Sequence, residues 1–469
     1  MVTTAFSSPR ARGIFCFRIL AVTACMVVAS LTANAQGPDP LASNNTVYPT
    51  ADEWSGGFRP ANYAYPTDPV PSKWTAGADG GRINASNALQ YMLRLKAFVA
   101  PDLSGVVTDP LSWTPAKAGW YDMMWSAQGS RLPDGSIDPN SGREALMGSY
   151  TGQILQPFTF KDPLPAVPFQ NHAVIYYNDV AAAMLGRIWE DPYEPDLSDP
   201  QFPEGSIVFK VESATLTPQQ WPPLNGSAIS YVYRPTVAMI EDPATNPVKP
   251  EVVPVYFSQM AVKIKDSIAS PETGWVFMAF AYDATASGDS VWDKAVPVGA
   301  MWGNDPQFAN TPSGTNPNGP LTETWLNPAA PAYTHQTLGW GGRLAGPMDV
   351  ATRHNVVTVS GNRYQGTDDL AASSCLSCHS SAQFPFTENL YPSPNKVFPE
   401  DGQQFLMFDP GSKEWARWFE NRPGTQALSG GGRTGIVALD YDMLLTFSLG
   451  AFSAAANHNL HVQPLVHAH

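Results

Sequence analysis

Val252-Val253-Pro254-Val255-Tyr256-Phe257-Ser258-Gln259-Met260-Ala261-Val262-Lys263-Ile264 decides the fold class. Met260, Val262 and Ile264 alternate with Gln259, Ala261 and Lys263, the period of a strand and not of a helix. Runs of the same kind stand on both sides, at 206–216, 228–237, 274–282 and 295–301, with a further strand expected over 172–177. Pro, Gly or Asn bounds several of them. Such a series predicts an antiparallel sheet. Four stretches read as helices instead. Residues 84–99 carry apolar side chains at helical spacing (Leu89, Met92, Leu93, Leu95, Phe98). Residues 178–189 begin on Asn178, a good N-cap. A short helix is expected over 413–421 and a C-terminal one over 439–455. The expected fold is α+β, mainly antiparallel β-sheet with a few helices and long loops. The expected division is a leader over 1–35, an irregular and helical region over 36–170, a β-rich region over 171–345, a C-terminal region over 346–457 and a His-rich tail over 458–469.

Composition agrees with that pattern. The chain has 469 residues, 45 of them Pro and 37 Gly, and only 14% are charged. Short elements joined by turns and long loops follow from such a mixture. The net charge of −14 argues against a nucleic-acid partner, which would need a basic surface. It favours solubility and steers toward basic partners.

The first 35 residues read as an export signal. Arg10, Arg12 and Arg18 precede an apolar run over 19–31, which is too short to span a membrane, and Ala33-Asn34-Ala35 offers small residues for cleavage. The mature chain, beginning at Gln36, has no expected transmembrane segment and is periplasmic or secreted. Val22-Thr23-Ala24-Cys25 also resembles a lipobox, but few apolar residues separate it from Arg18. Cysteine use then becomes decisive. Of the four cysteines, Cys16 and Cys25 leave with the leader, and Cys375 and Cys378 remain.

Those two lie in Cys375-Leu376-Ser377-Cys378-His379, the pattern C-x-x-C-H. Two thiols one turn apart can add to the two vinyl groups of one haem, and the adjacent imidazole then sits beneath the iron as an axial ligand. Three other readings compete. A four-cysteine zinc cage lacks two cysteines. A redox C-x-x-C lacks its βαβ setting. A disulfide between the two leaves His379 unexplained. The expectation is one covalent haem c, attached through Cys375 and Cys378, with His379 as the axial iron ligand. For the sixth position Met407 is a candidate, though between Leu406 and Phe408 it also reads as a packed hydrophobe. Met443, His335 and His354 are further candidates, and an open sixth site is the remaining possibility. His458, His461, His467 and His469 read as a solvated tail, with transition-metal binding as the alternative. Gly430-Gly431-Gly432 reads as a flexible turn.

Cys375, Cys378 and His379 resemble the attachment motif of c-type cytochromes. The approach to the motif, 366–374, is short and polar, unlike the helix that leads into it in small helical cytochromes c. A more specific resemblance rests on 178–189, Phe202-Pro203-Glu204-Gly205-Ser206-Ile207-Val208-Phe209-Lys210, Gln259-Met260-Ala261-Val262-Lys263 and Thr273-Gly274-Trp275-Val276-Phe277, in that order before the motif. It is to the sheet-based haem c cytochromes: the lysine-crosslinked hydroxylamine-oxidising type and the gas-binding cytochromes c-prime-beta. That likeness covers 175–385 in patches and implies an antiparallel sheet packed on a haem near the C-terminal region, often with five-coordinate iron. Lys263 is the best match to the crosslinking lysine. Read from the strand alone, Lys263 and Lys265 are surface residues. Long insertions at 283–370 depart from the pattern. Gly142-Arg143-Glu144, Gly299-Ala300-Met301-Trp302-Gly303-Asn304-Asp305-Pro306 and Gly341-Gly342-Arg343-Leu344-Ala345-Gly346-Pro347 further resemble a set of exported bacterial cytochromes that brings no activity with it.

The expected function is electron transfer by an exported monohaem cytochrome c working with a periplasmic redox partner protein, more a carrier than a catalyst. The alternative is a haem enzyme or small-gas binder with an open sixth site. No catalytic residue is assigned on either reading.

Overall fold

One ten-stranded sheet organises the chain. In sequence its strands are β1 Tyr150–Leu155, β2 Phe169–Tyr177, β3 Ile207–Ala214, β4 Ile229–Arg234, β5 Glu251–Lys265, β6 Trp275–Tyr282, β7 Ala295–Met301, β8 Thr324–Leu326, β9 Val356–Val359 and β10 Asn362–Gln365. The spatial order is β8-β7-β6-β5-β3-β2-β1-β10-β9, with β4 paired to the first half of β5. Every pairing is antiparallel except β1 with β10. This computed structural model describes residues 39–75, 77, 81–129, 132, 134, 136–349, 356–359, 362–365, 373–385, 411–428 and 435–456. The leader with Cys16 and Cys25, His354, Met407, Gly430 to Gly432 and the tail histidines lie outside the described residues.

The mainly antiparallel α+β architecture is therefore as expected, and the five strands read over 206–301 are present within two or three residues at most ends. Six short strands were not foreseen: β1, β8, β9 and β10, and β11 Gln383–Phe384 paired with β12 Val437–Ala438 in a small second sheet. Three helices begin later than their polar leads suggested, α1 Ala88–Leu103, α2 Asp179–Ile188 and α5 Met443–Ala456; α4 Lys413–Trp418 begins where expected, α3 Cys375–His379 was not foreseen, and further short helices span Gly105–Thr108, Pro115–Ala118 and Val237–Glu241. Asn178 caps α2 as read, accepting a hydrogen bond from Ala181 N at 3.0 Å. The lead into α5, 439–442, is a turn, because Asp440 and Tyr441 take positive φ angles of 45° and 64° that no helix accommodates. Among the described residues, no helix is long and apolar enough to cross a membrane.

The sheet is covered on both faces. On one, Tyr91, Met92 and Leu95 of α1 pack with Val262, Ile264, Val276, Met278 and Phe280. On the other, Leu185 and Ile188 of α2, Leu376 of α3 and Leu444, Leu445 and Leu449 of α5 pack with Tyr177, Trp275, Phe277, Ala279 and Ala281. Strand alternation sends Lys210, Glu212, Gln259, Lys263 and Lys265 to this second face as well. It is not a solvent face. Lys263 is only 4% exposed and Lys265 half-buried, and the strand-surface reading of both is corrected: the turn before α5 meets each with a carboxylate.

Candidate functional site

Helix α3 is a single turn, too short to be stable alone, and is fixed from both ends. Ser374 caps it: Ser377 N donates to Ser374 Oγ at 3.1 Å and Ser374 N donates to Ser377 Oγ at 2.8 Å, a reciprocal capping box. Two glycine-rich loops support this cap. Trp340 N donates to Ser373 O at 2.8 Å and Cys375 N to Leu344 O at 3.0 Å. Ser374 Oγ donates to Asn304 Oδ1 at 3.0 Å. Arg343, wholly buried, ties the loops together by donating to Asn304 O, Trp340 O, Gly314 O and Asp305 O at 2.6–2.9 Å. Glycine is required at 339, where a Cβ would lie 2.3 Å from Ser373 O. Two of the three phrases singled out in the sequence, 299–306 and 341–347, are thus the cradle of the motif. The third, 142–144, builds a separate buried corner: Arg143 pairs with Asp122 at 3.0 Å, and Glu144 accepts from Leu146, Met147, Ser149 and Tyr233 backbone amides.

Within α3, Leu376 and Ser377 are fully buried. Cys375, Cys378 and His379 are the half-buried residues, and both cysteines are free thiols. Burial pushes each thiol up to about 12, the opposite of the activated thiolate in a redox C-x-x-C. Among the described residues no group of three or more His, Cys, Asp or Glu side chains gathers in a metal-binding cluster.

His379 is held from outside its helix. After it, β11 pairs with β12, and Leu439 N donates to Ala382 O at 3.0 Å. This pairing carries the turn Asp440-Tyr441-Asp442 beneath the imidazole, and His379 Nδ1 lies 2.9 Å from Tyr441 O. A carbonyl only accepts, so Nδ1 carries a proton, and in the neutral ring Nε2 then keeps its lone pair. The ring packs on Phe277 of β6, centroids 4.9 Å apart. Burial, with the Lys263 ammonium nearby, lowers the imidazole to about 4 and keeps it neutral.

The turn itself is anchored to the sheet by two buried ion pairs. Lys265 Nζ meets Asp440 at 2.7 Å, and Asp440 also accepts from Trp275 Nε1 at 2.8 Å and Phe202 N at 2.9 Å. Lys263 Nζ meets Asp442 at 2.9 Å, and Asp442 accepts from Tyr177 OH at 2.9 Å. Tyr441 is tied further by its hydroxyl, which donates to Arg422 O at 2.6 Å, while Arg422 donates to Ser380 O at 2.9 Å just beyond α3. Left-handed backbone at two successive non-glycine residues persists only where surroundings over-determine it, and these contacts do. Near Cys375, Lys210, Glu212, Gln259 and Asp349 form a second polar cluster: Lys210 Nζ is 2.7 Å from Asp349 and 3.1 Å from Glu212, and Gln259 Nε2 donates to Asp349 at 2.8 Å. Desolvation and the neighbouring Asp349 raise the Glu212 carboxyl.

Of the sequence candidates, Cys375, Cys378 and His379 are together on α3. His335 is exposed at the end of a 3₁₀ turn, and Met443 is half-buried at the first position of α5. Tyr441, Asp440, Asp442 and the buried role of Lys263 escaped the sequence reading. The acid-Tyr-acid triplet directly before the apolar helix was the available signal. No family model, curated protein or solved structure matches the chain.

Proposed function

We propose that this chain is an exported monohaem cytochrome c that carries single electrons. Cys375 and Cys378 hold the haem covalently, and His379 Nε2 ligates its iron. The observation that carries the reading is the state of His379. Its Nδ1 proton is committed to Tyr441 O, and burial favours the neutral ring, which leaves Nε2 available, the condition of a histidine metal ligand with its outer-shell partner in place. The two thiols stand on the same turn, unbonded to each other and half-buried. The fit extends to the surroundings, since Phe277 and the small side chains of Ala261 and Ala279 lie on the sheet face that meets α3. A bound haem supplies one-electron chemistry at iron, tuned by its axial ligands. The protein's part is to fix the imidazole tautomer and orientation, exclude water with aromatic packing and present an acidic surface to a basic redox partner. Export over residues 1–35 to a periplasmic site belongs to the same proposal, as does Met407 as sixth ligand.

Expression with haem-maturation machinery tests it. Denatured protein should retain haem by the pyridine haemochrome assay, and Cys375→Ala with Cys378→Ala should release it. A mature wild-type chain without covalent haem overturns the reading. Carbon monoxide distinguishes the two uses of the iron: an unshifted reduced spectrum supports electron transfer, and a shifted one favours the open-site alternative. Loss of the thioether absorption band in Met407→Ala would identify that ligand.

A further inference from the structure

Tyr441 O accepts two hydrogen bonds, and the second has no part in simply orienting the histidine. His379 Nδ1 donates at 2.9 Å and Lys263 Nζ at 2.7 Å. The ammonium is also 2.9 Å from Asp442 Oδ2, with the two side chains 5% and 2% exposed. The Trp275 ring lies 4.8 Å away and the Phe202 ring 5.8 Å away, and the Asp440 and Lys265 charges also act on it. Asp442 is fixed in turn: its Oδ1 accepts from Tyr177 OH at 2.9 Å and from Leu445 N, the start of α5, at 2.7 Å. A cation and an anion are therefore locked one carbonyl away from the imidazole, in surroundings that screen them little.

We propose that the Lys263–Asp442 pair sets the donor strength of the His379 ligand, and with it the reduction potential, through the shared Tyr441 carbonyl; this rests on the haem reading above. The physical chain is short. The more electron-rich the acceptor of an Nδ1–H group, the more anionic the imidazole becomes, and an anionic ligand favours ferric iron. The Lys263 ammonium draws electron density from the same oxygen, weakens that acceptor and so favours ferrous iron. Asp442 offsets the lysine charge and limits the effect. Lys263 and Asp442 are thus positioning residues that act through Tyr441, with opposite signs.

Those opposite signs supply the test. Holoprotein of the wild type, Lys263→Met, Lys263→Arg and Asp442→Asn is titrated potentiometrically, with haem content by pyridine haemochrome and the iron–histidine stretch of the reduced form by resonance Raman. At the wild-type midpoint, Lys263→Met should move the ferric-to-ferrous ratio at least tenfold toward ferric, and tenfold is about 59 mV for a one-electron couple. Its iron–histidine stretch should rise. Asp442→Asn should move the ratio in the other direction, and Lys263→Arg, which keeps the cation, should stay within threefold of wild type. If Lys263→Met does not fold, the arginine and asparagine variants still carry the comparison. Shifts of the same sign in Lys263→Met and Asp442→Asn, or unmoved potentials in variants that retain haem, overturn the inference and leave the haem reading standing. A wild-type chain without covalent haem removes the reading itself, and the inference with it.

Discussion

The two faces of the central sheet are cut from the same strands but obey different rules. Toward α1, β5 and β6 present Met260, Val262, Ile264, Val276, Met278 and Phe280, a close-packed apolar layer. Toward α3 and α5 the intervening positions present Gln259 and Lys263, buried, and Lys265, half-buried, each held to a carboxylate of another segment. Apolar burial stabilises at about 25 cal/mol per Å² without fixing direction. Buried ion pairs add little net stability, because desolvation offsets their attraction, but they fix geometry. Apolar packing stabilises both faces, and on the second the ion pairs also place a single carbonyl under a single imidazole.

The largest effects should be equal in size and different in kind. Phe280→Ala empties a fully buried site on the apolar face and should lower unfolding free energy by about 3–5 kcal/mol. Asp440→Ala should cost about 3–5 kcal/mol too, by leaving the Lys265 ammonium in the interior without its counter-ion and the Trp275 indole without its acceptor. Urea denaturation measures both. On the proposed haem reading the spectrum separates them: Asp440→Ala frees the turn that bears Tyr441 and should alter the iron–histidine stretch, whereas Phe280→Ala should leave it alone. Equal spectral change in both would erase the distinction between the faces.

Acid should sharpen the same contrast at a smaller scale. His172 in β2 is 1% exposed, neither ring nitrogen has a hydrogen-bond partner, and burial beside the Arg234 charge lowers it to about 3. The unfolded chain binds this proton near 6.5, so the unfolded state gains protons first. Stability is then full above pH 6.5 and is lost as pH falls toward 3, by about 1.4 kcal/mol per unit. At pH 5 the loss from this residue should be about 2 kcal/mol. Glu212 on the polar face works in reverse. Its carboxyl is raised, so the folded state holds the proton longer and its contribution to stability declines as pH rises past the ordinary carboxyl range. Urea midpoints at pH 7 and 5 should show a flatter acid limb in His172→Phe and no such flattening in Glu212→Gln.

How far each face could be read in advance follows from the same chemistry. Alternation revealed the strands at 206–301 because one set of positions is unambiguously apolar. The partner set misled: Lys263 and Lys265 read as solvated, since an antiparallel sheet commonly wets its polar face. Burial of that face depends on Asp440 and Asp442, more than 170 residues away, and no local pattern carries such a contact. The short strands were hidden for a related reason. β1 contains Gly152 and β8 is three residues long, so their identity comes from their neighbours rather than their own period. The C-x-x-C-H pattern was visible because it lies within five residues. The carbonyl that fixes the tautomer of its histidine was not, because a backbone oxygen has no sequence signature.

The smallest effect tests whether α3 is held by its own cap or by the segments around it. Ser374 Oγ accepts from Ser377 N and donates to Asn304 Oδ1. Ser374→Ala removes both bonds and should cost about 1 kcal/mol, the usual scale for a lost N-cap. Haem attachment should nevertheless proceed at the wild-type level. Cys375 N still donates to Leu344 O, Trp340 N still donates to Ser373 O, and His379 still meets Tyr441 O, none of them through the serine side chain. Haem content per chain, by pyridine haemochrome, reads this directly, beside a urea midpoint. If attachment falls in proportion to the lost stability, the motif depends on its local cap, and the polar face of the sheet holds the histidine without holding the helix.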